Sequence, residues 1–143
     1  MKTLILDTNP THHEAFQKAL GKLPSPQEIC SVFDVESALL MLTPIEDDEP
    51  WDFVLLDHVL DGDDGLAVVR LLASLPLKKH PRLVAVTAAD GKARARMLAV
   101  LWEAWIRAVA SPVTELDTTN LKLPWLPAML QVIRREDLPR VSV

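Results

Sequence analysis

The sequence predicts an α/β fold: a single doubly wound sheet of five parallel strands with helices on both faces. Three observations carry this expectation. Strand-length apolar runs alternate with segments whose apolar residues recur at helical spacing, strand then helix five times over. Runs such as Phe53-Val54-Leu55-Leu56 and Leu83-Val84-Ala85-Val86 are apolar at every position, which suits strands buried on both faces. The strand runs also end in polar residues, Asp7, Asp57, Thr87 and Ser111, which such a sheet gathers along its crevice edge.

The first strand is Thr3-Leu4-Ile5-Leu6-Asp7. After Pro10, Thr11 and Glu14 have capping-box spacing, and Phe16, Ala19, Leu20 and Leu23 form the apolar stripe of a helix. Two prolines over Leu23–Pro26 end it. The second strand is Ile29–Phe33, and Asp34 or Ser37 leads into a helix carrying Ala38, Leu39 and Leu42. An acidic loop from Thr43 to Pro50 precedes the third strand, Phe53–Asp57. Asp64-Gly65 opens a third helix with Leu66, Val69, Leu72 and Leu75 on one stripe. A basic loop, Pro76–Pro81, leads to the fourth strand, Leu83–Thr87. Asp90 is placed to cap a helix from about Gly91 to Trp102, and Trp105–Ala110 reads as the fifth strand, ending at Ser111-Pro112. A long connection with Pro124 precedes a last helix from about Trp125 to Arg135. No repeat or linker interrupts the pattern, so one domain over residues 1–143 is expected, with a core of about 2–135 and a tail at 136–143.

Bulk properties narrow the function. With 49% hydrophobic and 24% charged residues the chain is globular, and 143 residues suffice for a core without disulfides. A net charge of −5 argues against nucleic acid as the main partner. The single cysteine, Cys30, has no internal bridge to make and suits a reducing compartment. No apolar run approaches the ~20 residues that cross a bilayer, and the N-terminus lacks a signal-peptide pattern, so a cytoplasmic location is expected.

Asp57 is the first candidate for chemistry, because a wholly apolar strand stops abruptly at a carboxylate and then enters the Asp- and Gly-rich stretch Asp61-Gly62-Asp63-Asp64-Gly65. Together with Asp7, the Asp64-Gly65 pair, Thr87 and the Ser111-Pro112 pair, it resembles the receiver domain of two-component response regulators, a flavodoxin-like fold, over about Lys2 to Arg135. The resemblance implies that Asp57 accepts a phosphoryl group from a histidine kinase or phosphotransfer protein. It implies that Asp7, Asp57 and the backbone carbonyl of Val59 help to hold Mg²⁺, that Thr87 contacts the phosphoryl group, and that output passes to a downstream protein partner. The logic is electrostatic: a carboxylate attacks an anionic phosphoryl group only when charge is neutralised and the partners are positioned.

Two positions depart from the family pattern. Thr8 stands where a second acid is usual, offering a hydroxyl as a possible metal ligand but no charge, and Ser111 stands at the usual Lys position. Two such electrostatic contacts are each worth about 2–4 kcal/mol in a preorganised site. The resemblance therefore implies an atypical receiver, weakly phosphorylatable or working without phosphate as an adaptor. A haloacid-dehalogenase-like phosphatase using Asp7 in Asp7-Thr8-Asn9-Pro10-Thr11 is the alternative from another class, although Asn9 replaces its acid/base Asp.

Other features have blander readings. An EF-hand template started at Asp57 breaks at Val59 and Val68. His12 and His13, at a helix start, are expected to face solvent. The segment Met97–Trp102 is apolar nearly all round, more than one buried stripe requires. It suggests a homodimer or partner surface formed by the fourth helix, fifth strand and last helix.

Overall fold

The computed structural model describes residues 1–43, 49–57, 63–87, 91–109, 113–117 and 127. Strands β1 (Lys2–Leu6), β2 (Glu28–Val32), β3 (Phe53–Leu56), β4 (Arg82–Thr87) and β5 (Val113–Asp117) form one parallel sheet in the order β2-β1-β3-β4-β5. Helices α1 (Pro10–Gly21), α2 (Val35–Leu42), α3 (Asp63–Ser74) and α4 (Gly91–Leu101) connect them in turn.

Side-chain alternation divides the core between the two faces. Leu4, Leu6, Val54, Leu56, Leu83 and Ala85 pack on one side with Ala38 and Leu42 of α2, Val68, Val69 and Leu72 of α3, and Met97 and Leu101 of α4. Ile5, Phe53, Leu55, Val84, Val86 and Leu116 point the other way, in one cluster with Phe16, Ala19 and Leu20 of α1. A strand buried on both faces needs an apolar residue at every position, and β3 has exactly that composition in Phe53, Val54, Leu55 and Leu56, all buried. Each such side chain stabilises the fold by about 1.5–3 kcal/mol relative to exposure.

Helix starts follow local chemistry. Pro10 takes the first helical position of α1, where its fixed φ is preset and its missing N–H costs nothing. The cap therefore falls on Asn9, whose Oδ1 accepts from the Thr11 amide at 2.9 Å, rather than on Thr11 as the capping-box spacing suggested. Asp34 caps α2, accepting from the Ser37 amide at 2.7 Å and the Ser37 hydroxyl at 3.0 Å, and these bonds lower its pKa.

The fifth strand is the main correction. Trp105–Ala110 was expected as strand; its described residues, to Val109, instead continue α4 through a π-helical turn, Trp102–Ile106, and a last helical turn, Arg107–Val109. Met97, Leu101, Ala104 and Trp105 are all buried in one cluster, at the spacing of a single helix face. The strand lies instead at Val113–Asp117, pairing with β4 from Leu83↔Val113 to Thr87↔Asp117. It is an edge strand with only Leu116 buried, so it lacks the uniform apolar run that marks β3 and β4. Ser111 thus precedes β5 in the chain instead of ending it, and is itself outside the described residues. The expected last helix, 125–135, also lies outside them, apart from residue 127.

Candidate functional site

In a sheet of this order the crossovers leave β1 in opposite directions, opening a crevice at the carboxyl ends of β1 and β3. Register brings two carboxylates there. Leu6 pairs with Leu56, so Asp7 and Asp57 are the next residues on adjacent strands. Their backbones are fixed by the Asp57 amide donating to Leu6 O at 3.0 Å and the Asp7 amide donating to Val32 O at 3.3 Å. Both side chains are buried, Asp7 to 1% exposure and Asp57 to 0%.

Buried carboxylates need donors, and one short stretch supplies four. The Thr8 amide and the Thr8 hydroxyl each donate to Asp57 Oδ2 at 3.0 Å. The Asn9 amide donates to Asp7 Oδ1 at 2.8 Å, and His12 Nδ1 lies 2.7 Å from Asp7 Oδ2. His13, buried, donates from Nε2 to the Asp7 carbonyl at 2.7 Å, and its ring packs on Phe33 with centroids 4.1 Å apart. These histidines were expected in solvent. The Asn9 cap and Pro10 start α1 so close to β1 that its first turn folds back over the Asp7 carboxylate. The signal available in the sequence was the five-residue spacing from Asp7 to His12 across a Pro-initiated helix start.

The donors offset the carboxylate pair only in part. Burial, above all, raises the pKa of Asp7; its hydrogen bond with Asp57 and that neighbour's like charge act the same way, against the Asn9 amide and His12. Two carboxylates buried side by side, with Asp57 helping to raise the proton affinity of Asp7, are electrostatically suited to a cation. Mg²⁺ needs only one or two carboxylates, the rest of its octahedron being water. The residues present therefore fit it, with Asp7 and Asp57 as the groups that would hold it. Val59 lies outside the described residues, and the Thr8 hydroxyl is turned to Asp57. Among the described residues no group of three His, Cys, Asp or Glu side chains is placed to hold a metal ion.

Thr87 ends β4 on the same edge, one register step beyond the position level with Asp57. Its partner on β5 is Asp117, an exposed acid that sequence reasoning did not single out. The shift of the fifth strand thus changes the residue at its carboxyl end from Ser111 to Asp117.

No protein-family model and no curated protein matches this chain. Solved structures do. The signal receiver domain of a DNA-binding response regulator from Colwellia psychrerythraea 34H aligns with TM-score 0.64 and 18% identity over 94% of this chain and 98% of that one. A response regulator from Hahella chejuensis aligns with TM-score 0.64 and 16% identity over 97% and 96%. The receiver domain of a sensor histidine kinase from Pseudomonas aeruginosa PAO1, described with magnesium coordinated in its active-site cleft, aligns with TM-score 0.59 and 20% identity over 94% of each. The chain has the receiver-domain fold. On that fold the Asp7–Asp57 crevice occupies the edge where the sequence resemblance placed the phosphoacceptor. No helix of the described residues is long and apolar enough to cross a membrane.

Proposed function

We propose that this chain is a receiver-like signalling domain in two-component phosphorelay, with Asp57 as phosphoacceptor and output through protein–protein contact. One observation carries the reading: Asp57 is a buried carboxylate at the carboxyl end of the central strand β3, beside Asp7 and already oriented by two donors from Thr8. A carboxylate oxygen of Asp57 would attack the phosphorus of a phosphohistidine. The P–N bond breaks, the imidazole departs with the electron pair and takes up a proton, and an acyl phosphate remains. Thr8 orients the attacking carboxylate, and Thr87, on the next strand end, is the candidate contact for the transferred group. Mg²⁺, when bound at Asp7 and Asp57, supplies positive charge to an otherwise anionic encounter. The added phosphoryl charge would then bias the β4–α4 region between two packings that a partner distinguishes.

A second reading is supported by a specific observation. β5 ends on an acid, Asp117, paired in register with Thr87 on the same edge of the sheet. A phosphate-independent adaptor using the same surfaces follows if that acid repels the phosphoryl group. In either reading Trp102, 54% exposed on the π-helical turn, belongs to the surface offered to a partner or a second copy of the chain.

Incubation with Mg²⁺ and acetyl phosphate, followed by intact mass, separates these. The phosphoacceptor reading expects one phosphoryl adduct in the native chain and none in Asp57→Asn. Absence of any adduct selects the adaptor, and phosphate-ester turnover that depends on Asp7 rather than Asp57 would overturn both in favour of a phosphatase.

A further inference from the structure

Four donors to the two carboxylates share one origin. Thr8, Asn9 and His12 belong to the turn between β1 and α1 and the first turn of that helix, and among them they contact both oxygens of Asp7 and one of Asp57. Asn9 contributes a backbone amide, which any residue there could supply. Thr8 and His12 contribute side chains, the first to Asp57 and the second to Asp7. His12 retains only 14% exposure there. We propose that Thr8 and His12 act as an internal substitute for the divalent cation: they hold the Asp7–Asp57 pair in its geometry without metal, and Mg²⁺ binds only in competition with them. This inference rests on the Asp7–Asp57 crevice being the functional site, and it holds whether or not Asp57 is phosphorylated.

The physical argument concerns what each donor replaces. A cation between two carboxylates does two things: it screens their repulsion and it fixes their orientation. The Thr8 hydroxyl takes a lone-pair direction of Asp57 Oδ2 that a metal would otherwise share. The His12 N–H does the same at Asp7 Oδ2, with the ring filling space beside it. Hydrogen bonds to charged groups are among the stronger ones in a protein interior. Two such donors raise the cost of inserting a strongly hydrated ion, and they lower the cost of leaving the site without one. A pocket built this way keeps its shape as magnesium varies, which a pocket of three bare carboxylates does not.

The test uses Mg²⁺ alone on the full chain, read by thermal unfolding in EDTA against millimolar Mg²⁺ and by NMR titration of the Asp7 and Asp57 carboxyl carbons. The native chain is expected to unfold at the same temperature in both buffers. His12→Ala should unfold earlier in EDTA and recover in Mg²⁺, with Mg²⁺ affinity tighter by about tenfold, the size of effect expected for one hydrogen bond to a charged group. Thr8→Asp, which exchanges a donor for a third oxygen ligand, should also gain affinity, whereas His12→Asn, which keeps an N–H, should stay closer to native. If His12→Ala fails to fold, Thr8→Asp and His12→Asn still decide. The proposal is overturned if the native chain is already stabilised by Mg²⁺ as strongly as the variants. It is also overturned if His12→Ala loses stability that Mg²⁺ does not restore, since His12 is then only a packing residue. The adduct experiment on Asp57 is scored separately, so a chain that is phosphorylated normally but shows no Mg²⁺ gain in these variants removes this inference and leaves the function standing.

Discussion

The two halves of the sheet's carboxyl edge are built on opposite principles. At β1 and β3 the strands are buried on both faces, and the charges that follow them, Asp7 and Asp57, are buried too and accept hydrogen bonds from one neighbouring turn. At β4 and β5 the sheet ends in a half-exposed strand, and its charges are paired at the surface. Arg94 of α4 grips Glu115 of β5 through Nε and, at 2.8 Å, through its second guanidinium nitrogen. The comparison teaches where function and where adjustability reside. Charges in the first half cost free energy to bury, which is what makes them candidates for chemistry. Charges in the second half are exposed cross-links that form and break cheaply, which suits a surface that changes with signalling.

The largest expected effect comes from the seam that joins the halves. Trp105 is fully buried where the π-helical turn meets the core formed by β3, β4 and α3. Trp105→Ala should cost about 3–5 kcal/mol in a urea titration, the range for deleting a buried aromatic. A loss below about 1 kcal/mol would place this residue on the loosely packed side of the comparison, as the strand assignment from sequence would have it.

That residue also explains what was legible in the sequence. β1, β3 and β4 announce themselves because strands covered on both faces carry unbroken apolar runs, Leu4–Leu6, Phe53–Leu56 and Leu83–Val86, and the Asp7, Asp57 and Thr87 that follow those runs therefore stand out. β5 has no such signature: Val113, Thr114 and Glu115 are only half-buried, and the apolar residues nearby, Trp105 and Ile106, belong to a helix. A π turn shifts the register of a helix by one residue, so Trp105 sits beside Ala104 on the buried side, and the run reads as a short apolar strand. The placing of a strand end at Ser111 followed from that run. The roles of His12 and His13 were missed for another reason: helix starts are usually solvated, and the spacing from Asp7 to His12 gains meaning only once α1 folds back onto β1 and brings these rings to Asp7.

A second, smaller effect sharpens the first half alone. The pKa of Asp7 is raised above its ordinary 3.8, so the group binds its proton more tightly folded than unfolded. Its contribution to stability is therefore fully present below pH 3.8 and is lost as pH rises through the folded value. In metal-free buffer, subtracting the stability–pH curve of Asp7→Asn from that of the native chain should leave a component that falls in this window. A rising component would mean that the donors of Thr8, Asn9 and His12 outweigh burial and Asp57. That result would make the first half as relaxed electrostatically as the second.

The smallest effect on stability is expected at Trp102, three residues from Trp105 and on the opposite side of the same turn. It is 54% exposed, so Trp102→Glu removes little from the core, and unfolding should shift by no more than about 0.5 kcal/mol. Its consequence should instead appear in association. An exposed indole on this turn presents an apolar contact, and aromatic anchors of that kind dominate the centres of interfaces. If the second half of the molecule is the partner-facing one, light scattering on Trp102→Glu should show a smaller assembly than the native chain, or weaker capture of its partner. An unchanged mass with unchanged stability would mean that this turn serves neither core nor interface, and the comparison would then have to locate the output surface elsewhere than α4.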